Sequence, residues 1–475
     1  MTKHIDKPLV VDLDGTLINS NMLHECFWSA FKNHWYVPFL SIFLLIKGRQ
    51  ALKRKLFYLS AIEVKDLPYN LDVLNYIKRW KNKGGYTVLA SASDEKIVKK
   101  IAAHLDIFDE YHGSNSSLNL RGIRKARYLK KLYGDMNFIY MGDSAPDVDV
   151  WKFSFKAITI DASNKLKRQA DKVCALAEHL ETKKNSILEY LLVLRPLQWL
   201  KNILIFVPML TAHQFTLDSF LELTKAFVAF CVISSCVYII NDLFDLQSDR
   251  SHPTKKLRPF AAGKIKIEFG LIIFPCLFLI SVFIAASVNI KLLAIIITYL
   301  LISYIYTAFL KKRIVIDLCI LALLYTLRLL AGSVVLDINL SIWLIAFSGF
   351  FFMSLAAVKR LAELMNYSNQ GEKSVLGRGY NLSDVPIISS IASSAGFVSI
   401  LVVALYINSP LVINLYKNPQ ALWGICGILI YWISRLLIIA HRGNMDYDPV
   451  VFAAKDKVSY LCLLMIALFF IVGIL

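Results

Sequence analysis

The feature that most constrains this chain is a series of apolar segments, each near the length that a helix needs to cross a membrane. The first begins near Ser186 and is interrupted by polar residues from Arg195 to Asn202. The others lie approximately at 220–240, 269–287, 291–309, 314–334, 341–358, 387–407, 420–439 and 458–475. The sequence therefore predicts an all-α polytopic membrane bundle of about nine transmembrane helices over residues 181–475.

Composition supports this class and excludes several others. Hydrophobic residues make up 56% of the 475 residues, and mean hydropathy is +0.53, which is too apolar for a soluble protein of this length. The formal net charge is +18, and anionic lipid headgroups and phosphorylated substrates are its expected partners. No nucleic-acid-binding motif is present, so nucleic acid is not an expected partner. The eight cysteines are scattered without a C-x-x-C pair, which excludes a zinc or disulfide framework.

Loop charges predict the orientation. If the N-terminal region is cytoplasmic, the external loops hold only Lys291 and Lys417. The cytoplasmic loops then hold Arg250, Lys255, Lys256, Arg258, Lys264, Lys266, Lys311, Lys312, Arg313, Lys359, Arg360, Lys373, Arg378, Arg442, Lys455 and Lys457. By the positive-inside rule we expect an integral protein of a bacterial inner membrane, with its active sites facing the cytoplasm. The first residues lead straight into an acidic motif, so we expect no cleavable signal peptide.

An acidic stretch follows the second apolar segment, from Asn241 to Lys266. On a helix, Asp242, Asp245 and Asp249 advance by three and then four residues, and fall within an arc of roughly 60°. Carboxylates stacked in this way repel each other unless they share a cation, and such hard oxygen ligands suit Mg²⁺. Basic residues follow at once, including Lys256 and Arg258, which are candidates for binding phosphate directly.

Further polar residues interrupt or end the apolar segments. Arg328 and Arg435 lie inside apolar spans, where a charge is costly unless it faces the bundle interior, so each either serves the site or forms a structural pair. The remaining candidates for substrate binding are Lys201, Asn202, Asn241, Lys359, Arg360 and Glu363. Lys359 and Glu363 are four residues apart and share a helix face.

The acidic stretch carries a family resemblance. N-D-x-x-D-x-x-x-D at the end of a second span resembles the first acidic motif of the UbiA prenyltransferase superfamily. The continuation D-R-x-H-P-T-K-x-x-R-P-x-A-A-G, and R-P-x-Q-W-x-K-N at Arg195–Asn202, resemble its decaprenyl-phosphate phosphoribosyltransferase branch. The resemblance implies Mg²⁺ on the three aspartates, polyprenyl phosphate as acceptor and 5-phosphoribosyl diphosphate as donor.

Two other functions stay open. Prenyltransferases that act on aromatic acceptors usually carry a second acidic motif, where this chain has A-V-K-R-L-A-E-L. Cationic side chains at that position favour a phosphate substrate that binds with little accompanying metal. An aromatic or quinone prenyltransferase with a degenerate or regulatory N-terminal domain remains an alternative. A transporter with a regulatory soluble domain is the other alternative. The oligomeric state is open, and a homo-oligomer is compatible with the sequence.

Residues 1–180 are soluble in character. Short apolar strands at Pro8–Thr16, Tyr86–Ser93, Asn137–Asp147 and Ala157–Asp161 alternate with helical stretches, and several end in acids or hydroxyls. This alternation predicts an α/β domain with a parallel sheet and a site beyond the carboxyl ends of its strands. A charged linker is expected from Ala175 to Asn185.

The strand ends resemble the haloacid-dehalogenase (HAD) phosphatase superfamily, through D-x-D-G-T, a strand-end serine, a lysine and G-D-x-x-x-D. The resemblance implies a Rossmannoid fold with Asp12 as nucleophile and Asp14 as general acid and base. Ser91 and Lys125 would hold the phosphate, although Lys130 and Lys131 are near. Mg²⁺ would be held at Asp12, Asp14, Asp143 and Asp147. A degenerate domain kept for folding or regulation is the alternative.

An insertion from about Ile18 to Gly84 separates the first two motifs and is predicted to be a helical cap. Its apolar run Val37–Ile46 is too short to span a bilayer. Together with Trp28, Trp35, Tyr36 and Lys53–Lys55, this run forms either a surface that touches the membrane or ordinary cap core.

If both regions are active, the phosphatase is expected to remove the 5-phosphate of the transferred sugar, leaving polyprenyl-phosphoryl ribose, an arabinan precursor.

Overall fold

A computed structural model describes residues 6–115, 118–182, 186–252, 254–368, 379–410, 412, 416–445 and 448–475. The chain divides into two compact units. The first comprises Met1–Val193 and Ile239–Ile273, and the second comprises Leu194–Tyr238 and Phe274–Leu475. The acidic stretch therefore belongs to the same unit as the N-terminal region. Residues 1–5, where no signal peptide is expected, part of the expected linker, and the loop residues Lys373 and Arg378 lie outside the described residues.

The first unit contains a parallel sheet of six strands in the order β3-β2-β1-β4-β5-β6. The strands are β1 Leu9–Val11, β2 Thr87–Asp94, β3 Glu110–Ser114, β4 Ile139–Gly142, β5 Lys156–Ile160 and β6 Ala177–Leu180. Val10 pairs with both Val88 and Tyr140, which places β1 at the centre. The predicted α/β fold with a parallel sheet is confirmed.

Two strands were not anticipated. β6 reads A-E-H-L and lies inside the stretch that was expected to be a linker, which is wrong for these residues. A half-exposed strand with two polar residues lacks the apolar run by which a central parallel strand is recognised. The edge strand β3 has the sequence E-Y-H-G-S, and it also lacks a continuous apolar run.

Helices cover both faces of the sheet. The insertion between β1 and β2 forms the predicted helical cap with α1 Met22–Asn33, α2 Val37–Ile46, α3 Arg49–Leu59 and α4 Leu71–Asn82. The remaining helices are α5 Glu95–Leu105, α6 Ile123–Tyr133, α7 Val148–Trp151 and α8 Asn164–Val173. Leu9 and Val11 pack in one apolar cluster and Val10 in another, so β1 is buried on both faces.

The cap helix α2 carries an exposed apolar face. Phe39 is 69% exposed, Ile42 65% and Ile46 83%. These side chains are not cap core, so contact with the membrane surface stays the prediction for this helix. Lys53, grouped with that surface by the sequence, instead donates a hydrogen bond to the Ala92 carbonyl at 3.0 Å.

The rest of the chain is helical. Helix α9 is Ile187–Leu194, a 3₁₀ segment covers Pro196–Phe206, and α10 is Val207–Thr211. The others are α11 Leu217–Phe244, α12 Leu246–Ser251, α13 Ile267–Val288, α14 Ile290–Ala308, α15 Ile316–Val335, α16 Ile342–Ser368, α17 Val385–Ile407, α18 Trp423–His441, α19 Pro449–Ala453 and α20 Lys457–Ile474. Among the described residues, eight helices are long and apolar enough to cross a membrane, and the pair interrupted at Arg195 makes a ninth if counted as one span.

Small residues let the helices of the second unit approach closely. A side-chain carbon at Gly396 on α17 would lie 2.8 Å from Ile433 on α18. The Ser354 hydroxyl of α16 donates to the Ala392 carbonyl of α17 at 2.7 Å. Close backbone approach and hydrogen bonds between helices are typical of membrane bundles, where apolar burial alone does not drive association.

Candidate functional site: two aspartate clusters and a buried lysine pair

The carboxyl ends of β1 and β4 open onto a cavity of about 490 Å³. Asp12 and Asp14 follow β1, and Asp143 and Asp147 follow β4, so the parallel register brings these aspartates to one edge of the sheet. Gly15 makes the approach possible, because it has φ +77° and a side-chain carbon there would collide with the Asp143 carboxylate.

Lys125 enters this cavity from α6. Its amino group donates to Asp12 Oδ1 at 2.8 Å, to the Tyr140 hydroxyl at 2.8 Å and to the Ala90 carbonyl at 3.3 Å. Lys130, on the same helix, pairs with Asp135 at 2.7 Å near the surface. The structure thus brings Lys125, rather than Lys130, to the nucleophile candidate.

Asp147 is held by four donors. Its Oδ2 accepts from the backbone N–H groups of Asp143 at 3.2 Å and Ser144 at 3.0 Å, and from the Ser144 hydroxyl at 2.7 Å. Its Oδ1 accepts from the Tyr140 hydroxyl at 2.8 Å. Tyr140 therefore links Lys125 to Asp147, a role that sequence reasoning missed because its position in an apolar strand indicates only core.

Asp14 is fixed through both oxygens. Oδ1 accepts from the Met22 N–H at 2.7 Å and Oδ2 from the Ser93 hydroxyl at 3.0 Å. Ser91 is fully buried, and its hydroxyl accepts from the Ser93 N–H at 3.0 Å. Both serines lie on the same face of β2, and Ser93 is the one that binds an aspartate of the cavity, so Ser93 is a second residue that the sequence reasoning missed.

Burial of several carboxylates in one cavity disfavours their charged forms. Burial raises the pKa of Asp143 to about 8, with the Asp147 charge adding to the effect and Lys266 opposing it. Burial also raises the pKa of Asp12 to about 6, although Lys125 opposes the shift. Binding of another cation would therefore stabilise the charged forms of these carboxylates.

The donor set fits a hard divalent cation. Asp12, Asp143 and Asp147 each offer a carboxylate oxygen, and these oxygens lie within 4.8 Å of one another. Oxygen ligands of this kind are those that Mg²⁺ takes in proteins. Asp14, also predicted as a ligand, is committed to Met22 and Ser93 as described above.

In the acidic stretch, Asp242 and Asp249 are buried and share one cationic partner. Arg258 Nη1 lies 3.3 Å from Asp242 Oδ1 and 2.6 Å from Asp249 Oδ2. The regular helix is interrupted at Asp245, yet the N–H groups of Asp245 and Asp249 still donate to carbonyls four residues earlier, so the helical spacing holds. Burial raises the pKa of Asp249 to about 6, with Arg258 opposing the shift.

Other residues of this stretch are more open. Asp245 lies 3.9 Å from Lys32 of the cap, Asn241 is half-buried, and Lys256 is exposed. Of the three predicted ligands, Asp242 and Asp249 thus converge on one nitrogen of Arg258, and Asp245 lies near Lys32 instead.

In the second unit, two lysines converge on one carboxylate. Lys201 forms a buried ion pair with Asp448, and Lys359 Nζ lies 3.5 Å from Asp448 Oδ2. The other oxygen of Asp448 accepts from the Val450 N–H at 3.1 Å at the start of α19. Two cations against one buried anion leave this cluster with net positive charge. Asp448 was not among the predicted site residues.

Within the part of the chain that the structure describes, the partners of the three Arg328 nitrogens include no carboxylate. Arg328 donates to Asn202 Oδ1 at 2.8 Å, to the Tyr299 hydroxyl at 3.1 Å and to the Leu324 carbonyl. Arg328 and Lys201 also lie near the same aromatic ring, that of Tyr325, at 5.5 and 5.7 Å. The predicted interior orientation of Arg328 is thereby confirmed.

Arg360 forms a buried network. It donates to Asp317 Oδ2 at 2.6 Å and to the Tyr306 hydroxyl at 3.0 Å, and it pairs with Glu363. Each of its three guanidinium nitrogens has a protein acceptor. Arg435 forms a bidentate pair with Asp456 at 2.6 and 3.0 Å, which is the structural alternative that the sequence left open for it.

The apolar helices and the acidic stretch coincide with a known family. The model of the UbiA prenyltransferase family matches residues 203–455. The chain belongs to the UbiA prenyltransferase family. It is therefore an integral membrane protein.

Several relatives of this UbiA-family protein cover different parts of it. It is 35% identical to an uncharacterized protein y4nM of Sinorhizobium fredii over 474 residues, 98% of this chain and 91% of the relative. It is 37% identical to the nodulation protein NoeC of Azorhizobium caulinodans over 281 residues, 58% of this chain and 89% of the relative. It is 33% identical to the decaprenyl-phosphate phosphoribosyltransferase of Mycolicibacterium smegmatis over 196 residues, 40% of this chain and 61% of the relative.

Solved structures resemble each region at low identity. A UbiA homolog from Archaeoglobus fulgidus bound to GPP and Mg²⁺ is 17% identical, covering 60% of this chain and 98% of its own, with a TM-score of 0.46. A substrate-bound phosphoserine phosphatase is 17% identical, covering 36% of this UbiA-family chain and 92% of its own, with a TM-score of 0.27.

Proposed function

We propose that the chain transfers 5-phosphoribose from 5-phosphoribosyl diphosphate to a polyprenyl phosphate, and that its HAD-like region then removes the 5-phosphate. The product would be polyprenyl-phosphoryl ribose, a precursor of cell-envelope arabinan. The relative from Mycolicibacterium smegmatis named above supports the first reaction. The observation behind this pairing of activities is that the acidic stretch and the Asp12 cavity belong to one compact unit. Lys266, at the end of that stretch, and Glu268, just after it, line the cavity.

The transfer needs little acid or base chemistry. A phosphate oxygen of the lipid attacks the anomeric carbon of the donor, while the bond from that carbon to diphosphate breaks and diphosphate leaves with the electron pair. The acceptor oxygen is already anionic, so the main requirement is neutralisation of charge on the leaving group. Asp242, Asp245 and Asp249 would hold Mg²⁺, which when bound supplies that neutralisation. Asn241, Lys256 and Arg258 are proposed to contact the donor phosphates.

The second unit is proposed to hold the other anionic groups. Lys201 and Lys359 carry more positive charge than Asp448 balances, which suits a phosphate in a buried site. Asn202 and Arg328 support Lys201 through the Tyr325 ring and their mutual hydrogen bond. Arg360 and Glu363 are proposed to act on substrate through the placement of Lys359, since they bind each other.

The HAD-like cavity is proposed to run a two-step hydrolysis. Asp12 Oδ attacks the phosphorus of the 5-phosphate, and the sugar oxygen leaves with a proton from Asp14. Water then attacks the aspartyl-phosphate, Asp14 takes the proton, and inorganic phosphate leaves. Lys125 neutralises phosphate charge and Ser91 supports the strand end. Asp12, Asp143 and Asp147 would hold Mg²⁺, which when bound lowers the repulsion between phosphate and carboxylates.

We also propose a cellular location and an orientation in the membrane. The acidic stretch, the cavity and the basic loops are assigned to the cytoplasmic side of a bacterial inner membrane, on the loop charges. The exposed apolar face of α2 would then lie against that membrane surface.

Mass spectrometry of lipid products tests the two reactions together. Membranes that contain the full chain receive labelled 5-phosphoribosyl diphosphate and a polyprenyl phosphate. The wild type should yield labelled polyprenyl-phosphoryl ribose, Asp12→Asn should accumulate the 5-phosphorylated lipid, and Asp242→Asn should give neither.

Two results would contradict the proposal. Consumption of a prenyl diphosphate with an aromatic acid, but not of 5-phosphoribosyl diphosphate, would favour an aromatic prenyltransferase. Loss of the 5-phosphate at the wild-type rate in Asp12→Asn would remove the phosphatase role from this cavity. Lys130→Met, which changes an exposed lysine on the same helix as Lys125, is the matched control.

A further inference from the structure

The Asp12 cavity is not built from the N-terminal region alone. Lys266 and Glu268, which lie far beyond the N-terminal region along the chain, line it together with Asp12 and Asp143. Lys266 Nζ lies 3.8 Å from Asp143 Oδ2, and its side chain is 63% exposed. An exposed cation from the acidic stretch therefore lines the cavity that is proposed to act on a phosphate ester.

Three contacts hold this part of the chain in place. Arg250 binds Glu25 of α1 through two hydrogen bonds of 2.7 and 3.0 Å, and both side chains are buried. His24 Nδ1, also on α1, lies 3.1 Å from Glu268 Oε1. Because breaking a buried ion pair leaves an uncompensated charge in the interior, the backbone that carries Lys266 is anchored to the cap.

Apolar and steric contacts add to this anchoring. The rings of Phe31 and Phe244 lie with centroids 4.8 Å apart. Gly263 has φ +67°, and a side-chain carbon there would lie 2.6 Å from Asn19 Cβ, so the loop packs directly against the start of the cap. The position of Lys266 is therefore a property of the folded unit and not of a free loop end.

The cavity separates two groups of cations. Lys125 sits at its buried end on Asp12, where the reacting phosphate would bind. Lys53, Arg121 and Lys266 also line the cavity, and Arg121 and Lys266 are exposed to solvent. Lys125 is buried on Asp12, whereas Lys266 is exposed beside Asp143, so the exposed cations are available to a second anionic group of a ligand whose phosphorus lies at Asp12.

We propose that Lys266 makes the HAD-like site selective for a phosphomonoester that carries a second phosphate on the same small scaffold. A cavity of about 490 Å³ fits a phosphorylated sugar, within the roughly 300–1,000 Å³ usual for small ligands. The inference rests on the proposed function, because the transfer would make a sugar with a monoester at one end and a phosphodiester at the other. A free bisphosphorylated pentose has the same chemistry, so the two sources must be separated by experiment.

The test measures phosphate release by the full chain in detergent from three substrates. These are ribose 5-phosphate, ribose 1,5-bisphosphate, and a short-chain prenyl-phosphoryl ribose 5-phosphate. The wild type should show a higher kcat/KM for the two substrates with a second phosphate. Lys266→Ala should lower that kcat/KM by about ten- to a hundredfold through KM, the range for one charged hydrogen bond, and leave ribose 5-phosphate unchanged.

Two variants separate recognition from folding. Lys264→Ala removes a neighbouring lysine that is paired with Glu189 at 2.7 Å, and it should behave as wild type on all three substrates. Lys266→Arg keeps the charge and should restore most of the preference. Preference for the lipid-linked substrate over the bisphosphate would identify the source as the transfer product, and the reverse order would identify a soluble sugar.

The failures are distinguishable. If Lys266→Ala lowers kcat/KM equally on all three substrates, or on none, the role given to Lys266 is wrong while the phosphatase stands. If the wild type releases phosphate from none of them, and Asp12→Asn is no different, the phosphatase assignment itself is wrong.

Discussion

The Asp12 cavity of the first unit and the Arg360 network of the second unit both bury several charged side chains, but they balance them differently. Around Arg360, every guanidinium nitrogen has a protein acceptor, and the two carboxylates that it pairs with are close to it. In the cavity, the carboxylate oxygens of Asp12, Asp143 and Asp147 lie within 4.8 Å of one another, and of these three Lys125 is paired with Asp12.

This difference distinguishes a charged network that stabilises the fold from a charged cluster that can bind a ligand. A closed network stabilises one arrangement of helices, and breaking it leaves an unpaired buried charge. An unbalanced cluster beside a cavity costs stability, which Asp12 and Asp143 show as raised pKa values, and such clusters are typical of sites that bind charged ligands. The Lys201–Lys359–Asp448 cluster is unbalanced in the opposite sense, which is why it is proposed to bind phosphate.

The largest effect is expected in the cavity. Asp12→Asn should lower phosphate release by at least about a thousandfold, because the amide cannot attack phosphorus, and a nucleophile carries most of the rate in enzymes of this type. Transfer should continue at the wild-type rate. The measurement is inorganic phosphate release beside lipid mass spectrometry. A loss smaller than tenfold would place the nucleophile elsewhere and remove the distinction drawn between the two regions.

A second prediction concerns the closed network. Arg360→Met should destabilise the chain by about 3–5 kcal/mol, since Asp317 and Glu363 are left buried without their cation. Lys359→Met, one residue earlier, should change stability little but should weaken transfer. Thermal unfolding in detergent, followed for both variants, checks the contrast. Equal melting temperatures, or a larger drop in Lys359→Met, would contradict it.

The smallest expected effect concerns Tyr140. Tyr140→Phe removes the hydroxyl between Lys125 and Asp147, and should lower phosphate release by about ten- to a hundredfold, the cost of hydrogen bonds to charged groups. Tyr133→Phe removes a hydroxyl that donates to Glu110 at 2.7 Å outside the cavity, and serves as the control. Equal rates for both variants would mean that Tyr140 only fills the core.

The sequence was informative where one local pattern dictates the structure. Apolar length predicted the spans, because a helix must satisfy its own backbone across a membrane. Strand-end aspartates predicted the cavity, because parallel strands bring their carboxyl ends to one edge. The edge strands β3 and β6 escaped prediction, since their half-exposed residues carry no continuous apolar run.

Residues whose role depends on a distant partner were beyond the sequence. Arg258 reads as a phosphate ligand, and only the fold shows it bound between Asp242 and Asp249. Asp448 joins Lys201 and Lys359 from positions far apart in the chain. Spacing along one helix or strand is a local property, whereas the choice of a partner for a charge depends on which elements pack together.

By itself, therefore, the sequence determined the class of this protein: a UbiA-family membrane bundle that carries an α/β domain with aspartates at its strand ends. The length of an apolar segment and the residue types at a strand end are local properties, which do not depend on how the elements pack together. Only the tertiary structure decided that Lys125 reaches Asp12, that Tyr140 joins it to Asp147, and that Lys266 lines the same cavity. These contacts link positions far apart in the chain, and folding creates them by burying charges that must then find partners.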